Sequence, residues 1–253
     1  MGNRFVYDVV INALPSFDKG FQNQIPELIV IHHTGTNDYQ NTDVKSRLRD
    51  LNYTHIFDMQ NSGFACHFYI PMDDSDKIYI CRYLDHAQFH SGNFYVDKKS
   101  IAILIEGDLE HTQPTQKQLY KLKQILDDIP SFLDKQQINL DPYDDKKISI
   151  CGSKKLVGTV FCHFEVIERG FYSKSCGRYL YFYVSKFRKY GRSYDWKLED
   201  VYFDGKDSID LPRTNKMCFS AILYAKNIYD FENKLSLYRS FWNLINFRQN
   251  NEN

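Results

Sequence analysis

The segment Leu28-Ile29-Val30-Ile31-His32-His33-Thr34-Gly35 runs from β-branched apolar residues straight into two histidines and a turn. A short apolar run bounded by a turn signal predicts a buried strand. Side chains at the end of such a strand can leave the core and line a pocket. Neutral imidazole is a good zinc ligand, although a histidine there can equally be a core residue bonded to a backbone carbonyl. His163 closes a second apolar run, and Cys176 follows in Lys174-Ser175-Cys176-Gly177-Arg178. Two histidines and one cysteine make three protein ligands, the number a catalytic zinc takes with its fourth position open. On residue type and spacing alone, His163 as a core residue and Cys176 as a loop thiol remain equal alternatives.

Several elements must position these residues. Residues 28–32 read as the first buried strand. Residues 43–51 have helical spacing, with Val44, Leu48 and Leu51 apolar and Thr42 or Asp43 as N-cap. Residues 66–70 and 77–82 read as strands around the acidic turn Asp73-Asp74-Ser75-Asp76. Residues 100–106 read as a buried strand ending at Gly107. Thr115 and Gln118 form a capping-box pattern ahead of an apolar stripe, Leu119, Leu122, Ile125, Leu126 and Ile129, which Pro130 is expected to stop. Residues 1–27 read as a lead-in, 131–157 as a polar excursion, and 159–163 as a further strand. Strands alternating with helices predict an α/β domain, a mixed central sheet flanked by helices, over residues 1–180. Residues 181–253 read as a mainly helical C-terminal extension.

Composition narrows the classes. The chain has 253 residues and is 43% hydrophobic, enough for one sizeable core. Basic and acidic residues both number 32, so no global charge favours nucleic acid as a partner. The N-terminus has no apolar run of signal-peptide type, and no apolar stretch approaches the length of a membrane span. The expectation is synthesis in the cytoplasm, with the six cysteines as thiols or ligands. The stretch Lys186-Phe187-Arg188-Lys189-Tyr190-Gly191-Arg192 reads as a solvated helix face, with binding of anionic wall polymer, nucleic acid or a partner as the alternative, and the aromatics of residues 222–247 as core, partner or dimer contacts.

The order of segments resembles the zinc-dependent N-acetylmuramoyl-L-alanine amidase superfamily, which includes phage amidase lysozymes and peptidoglycan recognition proteins. The matching stretches are Ile29 to Thr34, Cys66-His67-Phe68-Tyr69-Ile70, His90-Ser91-Gly92 before residues 100–107, Thr115 to Gln118, and Cys162-His163-Phe164-Glu165-Val166 followed by Lys174-Ser175-Cys176-Gly177. The resemblance implies the amidase fold over residues 25–180, with His32, His163 and Cys176 as ligands of a Zn2+ cofactor and His33 pointing to the opposite side. It implies Lys174 as the group stabilising the developing oxyanion, and His67, His90 and Cys66 as pocket residues facing substrate, with a structural hydrogen-bonding role as the alternative for His67. The implied partner is peptidoglycan or a muropeptide, cut between N-acetylmuramic acid and L-alanine.

Three departures stand out. Cys66 occupies the place of the family's tyrosine, and Leu104 the place of the glutamate base found in some members. Glu106 shares the face of Leu104, as a substitute base or as a strand-end carboxylate. Glu165 is a further acidic candidate. The loop before Cys176 is long, and no proline follows the cysteine. These departures keep two alternatives open: a module that holds muropeptide without cutting it, and an amidase fold acting on a different amide. An enzyme of this kind, made without a signal peptide, fits an endolysin released to the cell wall or a recycling enzyme.

Overall fold

The computed structural model describes residues 4–14, 24–37, 42–58, 61, 63–73, 75–91, 93–145, 147–150, 154–166, 177–201 and 203. The chain divides into units of residues 1–220 and 221–253, and every described residue belongs to the first. No helix among the described residues is long and apolar enough to cross a membrane.

A six-stranded sheet organises this unit. Its strands are β1 (Val6–Val9), β2 (Leu28–His33), β3 (Phe68–Ile70), β4 (Lys77–Ile80), β5 (Ser100–Ile105) and, after a hairpin of β6 (Lys147–Ile150) and β7 (Lys154–Val157), β8 (Val160–Cys162). The order is β1-β4-β3-β5-β2-β8. Only the β3–β4 pair is antiparallel, so the sheet is mixed. Strands β2 and β5 are buried along their whole length, as their continuous Ile/Val/Leu runs require of central parallel strands.

The two sheet faces have separate cores. Ile29, Ile31, Phe68, Ile101, Ile103, Ile105 and Cys162 pack with α3 (Gln116–Asp134) and α5 (Arg178–Tyr190). On the other face Tyr69, Ala102 and Leu104 pack with α1 (Val44–Tyr53). Asp43 caps α1 by accepting from the Lys45 and Ser46 amides, and Thr115 and Gln118 close a reciprocal box at the start of α3.

Three local expectations change. Helix α3 does not stop at Pro130 but continues to Asp134, with Ile129 and Leu133 fully buried. That burial outweighs the lost amide, a penalty of about 3 kcal/mol in a helix interior. The lead-in contains strand β1, whose Val6 and Val9 are exposed, so no apolar alternation marks it. It is held by α3: the Phe5 amide donates to Gln124 at 2.8 Å and Tyr7 Oη donates to Asp128 at 2.9 Å. The polar stretch after α3 carries the β6–β7 hairpin.

The 180/181 division falls inside α5. Leu180, Tyr183, Val184 and Phe187, with Trp196 beyond the helix, pack in the same core as the sheet. The basic stretch of α5 is paired within the chain. Lys186 meets Glu199, Arg188 meets Glu165 at 2.8 Å, and Arg192 meets Asp141 at 3.1 Å. Residues 204–253, with the aromatics of 222–247, lie outside the described residues.

Candidate metal centre

Strand register brings two distant histidines together. Strands β2 and β8 are parallel neighbours, with Val30 opposite Phe161 and Ile31 opposite Cys162. His32 is the next residue of β2, and His163 directly follows β8 and opens the short helix α4 (His163–Val166). Their ring centroids are 4.5 Å apart and both side chains are buried. His90 joins them, with Nδ1 3.0 Å from His32 Nε2. Burial, then the neighbouring His163 and His90, holds the His32 imidazole well below its ordinary range. His32 is therefore neutral at physiological pH, the form that ligates metal.

His33 faces the other way, as strand alternation requires. Its Nδ1 accepts the Leu109 amide at 3.1 Å, so it pins the segment that follows β5. Gly177 lies against that same segment. A Cβ on Gly177 would stand 3.1 Å from Leu109 Cβ, and its φ of +76° is left-handed. The Tyr179 amide donates to Leu109 O at 3.1 Å, and Arg178 pairs with Glu110 at 2.7 Å. The chain after Cys176 is thus anchored next to His33. Cys176 and Lys174 themselves lie outside the described residues.

The remaining candidates are held by the fold. His67 is fully buried; Nδ1 accepts the Ala102 amide at 2.9 Å, and Nε2 lies 3.0 Å from His86 O. Burial and the Arg82 charge lower its pKa to about 3. Cys66 sits in the apolar cluster with Phe64, Ala65 and Tyr69, and burial pushes its thiol well above the ordinary range. Glu106 is buried against Arg47, with Oε1 2.6 Å from Arg47 Nε, while its Oε2 accepts the Met72 amide at 2.7 Å. Glu165 accepts the Cys162 amide at 2.8 Å and pairs with Arg188, which ties α4 to α5 immediately beside His163. In the register, Leu104 stands opposite both His32 and Tyr69.

Sequence reasoning missed the supports behind His32 and His163. Asp97 is fully buried, and its Oδ1 accepts from the His90 amide, the Ser91 amide and Ser91 Oγ at 3.2, 2.8 and 2.6 Å. An aspartate in a short helix carries no local signal of that role. Arg47 was equally silent, since its partner lies 59 residues away.

The donor chemistry fits zinc at two positions, with two buried imidazoles side by side. Among the described residues no group of three His, Cys, Asp or Glu side chains is arranged to hold a metal.

No curated protein matches the chain. Among solved structures, wild-type Drosophila PGRP-LB is similar at 18% identity with a TM-score of 0.50, covering 78% of this chain and 100% of that one. The ectodomain complex of the peptidoglycan recognition proteins LCa and LCx, bound to tracheal cytotoxin, is similar at 16% identity and a TM-score of 0.52, over 72% and 95%. The amidase LysC from Clostridium intestinale is similar at 20% identity and a TM-score of 0.43, over 64% and 85%. At these identities the likeness concerns the mixed α/β fold. The model of the N-acetylmuramoyl-L-alanine amidase family matches residues 22–165, more than half of the chain and including both His32 and His163. This chain belongs to the N-acetylmuramoyl-L-alanine amidase family.

Proposed function

We propose that this chain is a zinc-dependent amide hydrolase that cleaves between N-acetylmuramic acid and L-alanine in peptidoglycan or muropeptides. The observation that carries the reading is the pair of buried imidazoles, His32 and His163, 4.5 Å apart at adjacent strand ends. Zinc, when bound, supplies Lewis acidity toward the scissile carbonyl. His32 and His163 would hold it, with Cys176 as third ligand. Support for Cys176 comes from its neighbour: Gly177 packs on Leu109, which His33, the residue after His32 in β2, holds through its amide. Lys174, two residues before the cysteine, is assigned to oxyanion stabilisation.

Roles for the other candidates follow from their contacts. Glu106 is assigned to the fold through Arg47, and His67 to the backbone bonds it makes. Leu104 and Cys66 are assigned to the apolar core packed on α1, and His90 supports His32. The test is zinc content together with turnover. Close to one zinc per chain and release of L-alanyl peptide from sacculi are expected, and His32→Ala should lose both.

A second reading is favoured by one observation. Apolar Leu104 and buried Cys66 stand where a family base and a family tyrosine are expected. A module that holds muropeptide without cutting it needs neither helper, and the similar LCa–LCx complex is one with bound tracheal cytotoxin. Zinc bound at one per chain with no cleavage of any muropeptide would select this reading.

A further inference from the structure

One short segment stands behind both candidate ligands. His90 Nδ1 is 3.0 Å from His32 Nε2, and the Ser91 carbonyl is 3.1 Å from His163 Nε2. Which nitrogen of each ring carries hydrogen follows from counting protons. Ser100 Oγ lies 2.7 Å from Val96 O, a group that only accepts, so the single hydroxyl proton is spent there. Turning that proton toward His90 would leave two oxygen lone pairs facing each other at 2.7 Å. Ser100 Oγ therefore accepts from His90 Nε2, also 2.7 Å away. With its proton on Nε2, His90 presents a lone pair at Nδ1. His32 must then donate from Nε2, and its own lone pair is at Nδ1. At His163, the Ser91 carbonyl likewise accepts only, so hydrogen is on Nε2.

We propose that Ser100, His90 and Ser91 form a proton-ordering clamp that keeps hydrogen on Nε2 of both His32 and His163, so that Nδ1 is the nitrogen with which each ring would hold zinc. Asp97 holds the clamp in place through three hydrogen bonds to His90 and Ser91. Ser100 acts as a positioning residue through His90. Outer-shell partners of this kind fix ring orientation and raise ligand basicity. The inference rests on the zinc-binding part of the proposed function, since it takes His32 and His163 as ligands.

Two measurements on the full chain test it. In the zinc-free protein labelled with 15N-histidine, long-range 1H–15N NMR spectra read the tautomer of each ring directly. His32, His90 and His163 are each expected with hydrogen on Nε2. Chelator competition then reads zinc affinity. Ser100→Ala leaves the His90 Nε2–H without its acceptor, and affinity should fall by about tenfold to a hundredfold. Ser100→Thr keeps the hydroxyl and should recover most of that loss.

Hydrogen on Nδ1 of His32 in the unmodified protein overturns the clamp, and this result needs no variant to fold. Unchanged zinc affinity in folded Ser100→Ala also overturns it, even if sacculi are cleaved. The expected tautomers and zinc binding without cleavage sink the amidase reading and leave the clamp standing.

Discussion

Arg47 reaches from α1 to Glu106 just beyond β5, with Nε 2.6 Å from Oε1 in a fully enclosed ion pair. Burial, followed by the Glu106 charge, also pushes the neighbouring Tyr69 phenol far above its ordinary range. The pair ties the helix to the strand end beside the candidate site. Breaking a buried pair by removing one partner typically costs about 3–5 kcal/mol, because a charge is left behind. Arg47→Met should lose stability on that scale in urea denaturation, and Arg47→Met with Glu106→Leu should recover most of it. Glu106→Gln separates the two roles of the carboxylate. A structural role predicts lower stability with turnover per folded, zinc-loaded chain nearly unchanged. Abolished turnover at unchanged stability would make Glu106 the base instead.

Acid should destabilise the zinc-free protein through its buried histidines. Burial and Arg82 lower His55 to about 4 and His67 to about 3. Both are depressed relative to an unfolded value of about 6.5. Their contribution is complete above pH ~6.5 and is lost as pH falls toward those values, because unfolding takes up a proton on each. Asp97 works against them. Burial raises it to about 7, although hydrogen bonds from Ser91 and His90 pull it down. In the same window, unfolding therefore releases its proton. Two protons taken up against one released leave a net uptake of one, a slope of about 1.4 kcal/mol per pH unit. His32 and His90 are depressed by burial as well, and they steepen it. Urea midpoints at pH 7, 6 and 5 should fall in order. Midpoints that rise toward pH 5 would show that these rings are charged in the folded state, with only the Asp97 release left.

Cys66 gives a sharper test of the family departure. A tyrosine restored at this place could raise the rate only if its ring reached the pocket. Cys66 is instead 3% exposed and packed against Phe64, Ala65 and Tyr69. Adding a phenol ring to a filled core costs about 1–3 kcal/mol. Cys66→Tyr should therefore lower the melting temperature with no gain in hydrolysis. A faster enzyme of unchanged stability would show that the side chain turns out toward substrate.

Much of the fold was legible because its signals are local. The apolar runs of β2 and β5 mark fully buried central strands, and the caps of Asp43 and Thr115 need only three or four residues to be seen. His32 and His163 were legible for the same reason, since each ends an apolar run. What escaped depends on partners distant in sequence. Strand β1 depends on its pairing with β4 and on Gln124 and Asp128 of α3, and α3 passes Pro130 because the sheet buries Leu133. The roles of Glu106 and Glu165 turn on Arg47 and Arg188, which arrive from other helices. Period-two alternation could put Glu106 on the face of Leu104, but not reveal that its charge was already paired.

Gly177 connects the described core to the proposed cysteine ligand. Its φ of +76° is strained for any residue with a Cβ, and that Cβ would meet Leu109 Cβ at 3.1 Å and Leu109 O at 3.2 Å. Left-handed backbone in a non-glycine residue costs about 1–3 kcal/mol, and here the contacted atoms belong to backbone and a buried leucine, which cannot swing aside. Gly177→Ala should accordingly lower the melting temperature. The informative readout is zinc. Relief of the clash must move residue 177 away from Leu109, whose amide is held by His33, the residue after His32 in β2. If Cys176 completes the ligand set, the folded variant should bind zinc more weakly, by about tenfold or more, while Cys176→Ser alone reproduces that loss without the melting shift. Wild-type affinity in folded Cys176→Ser would remove Cys176 from the site and leave the third ligand to be sought elsewhere in the chain.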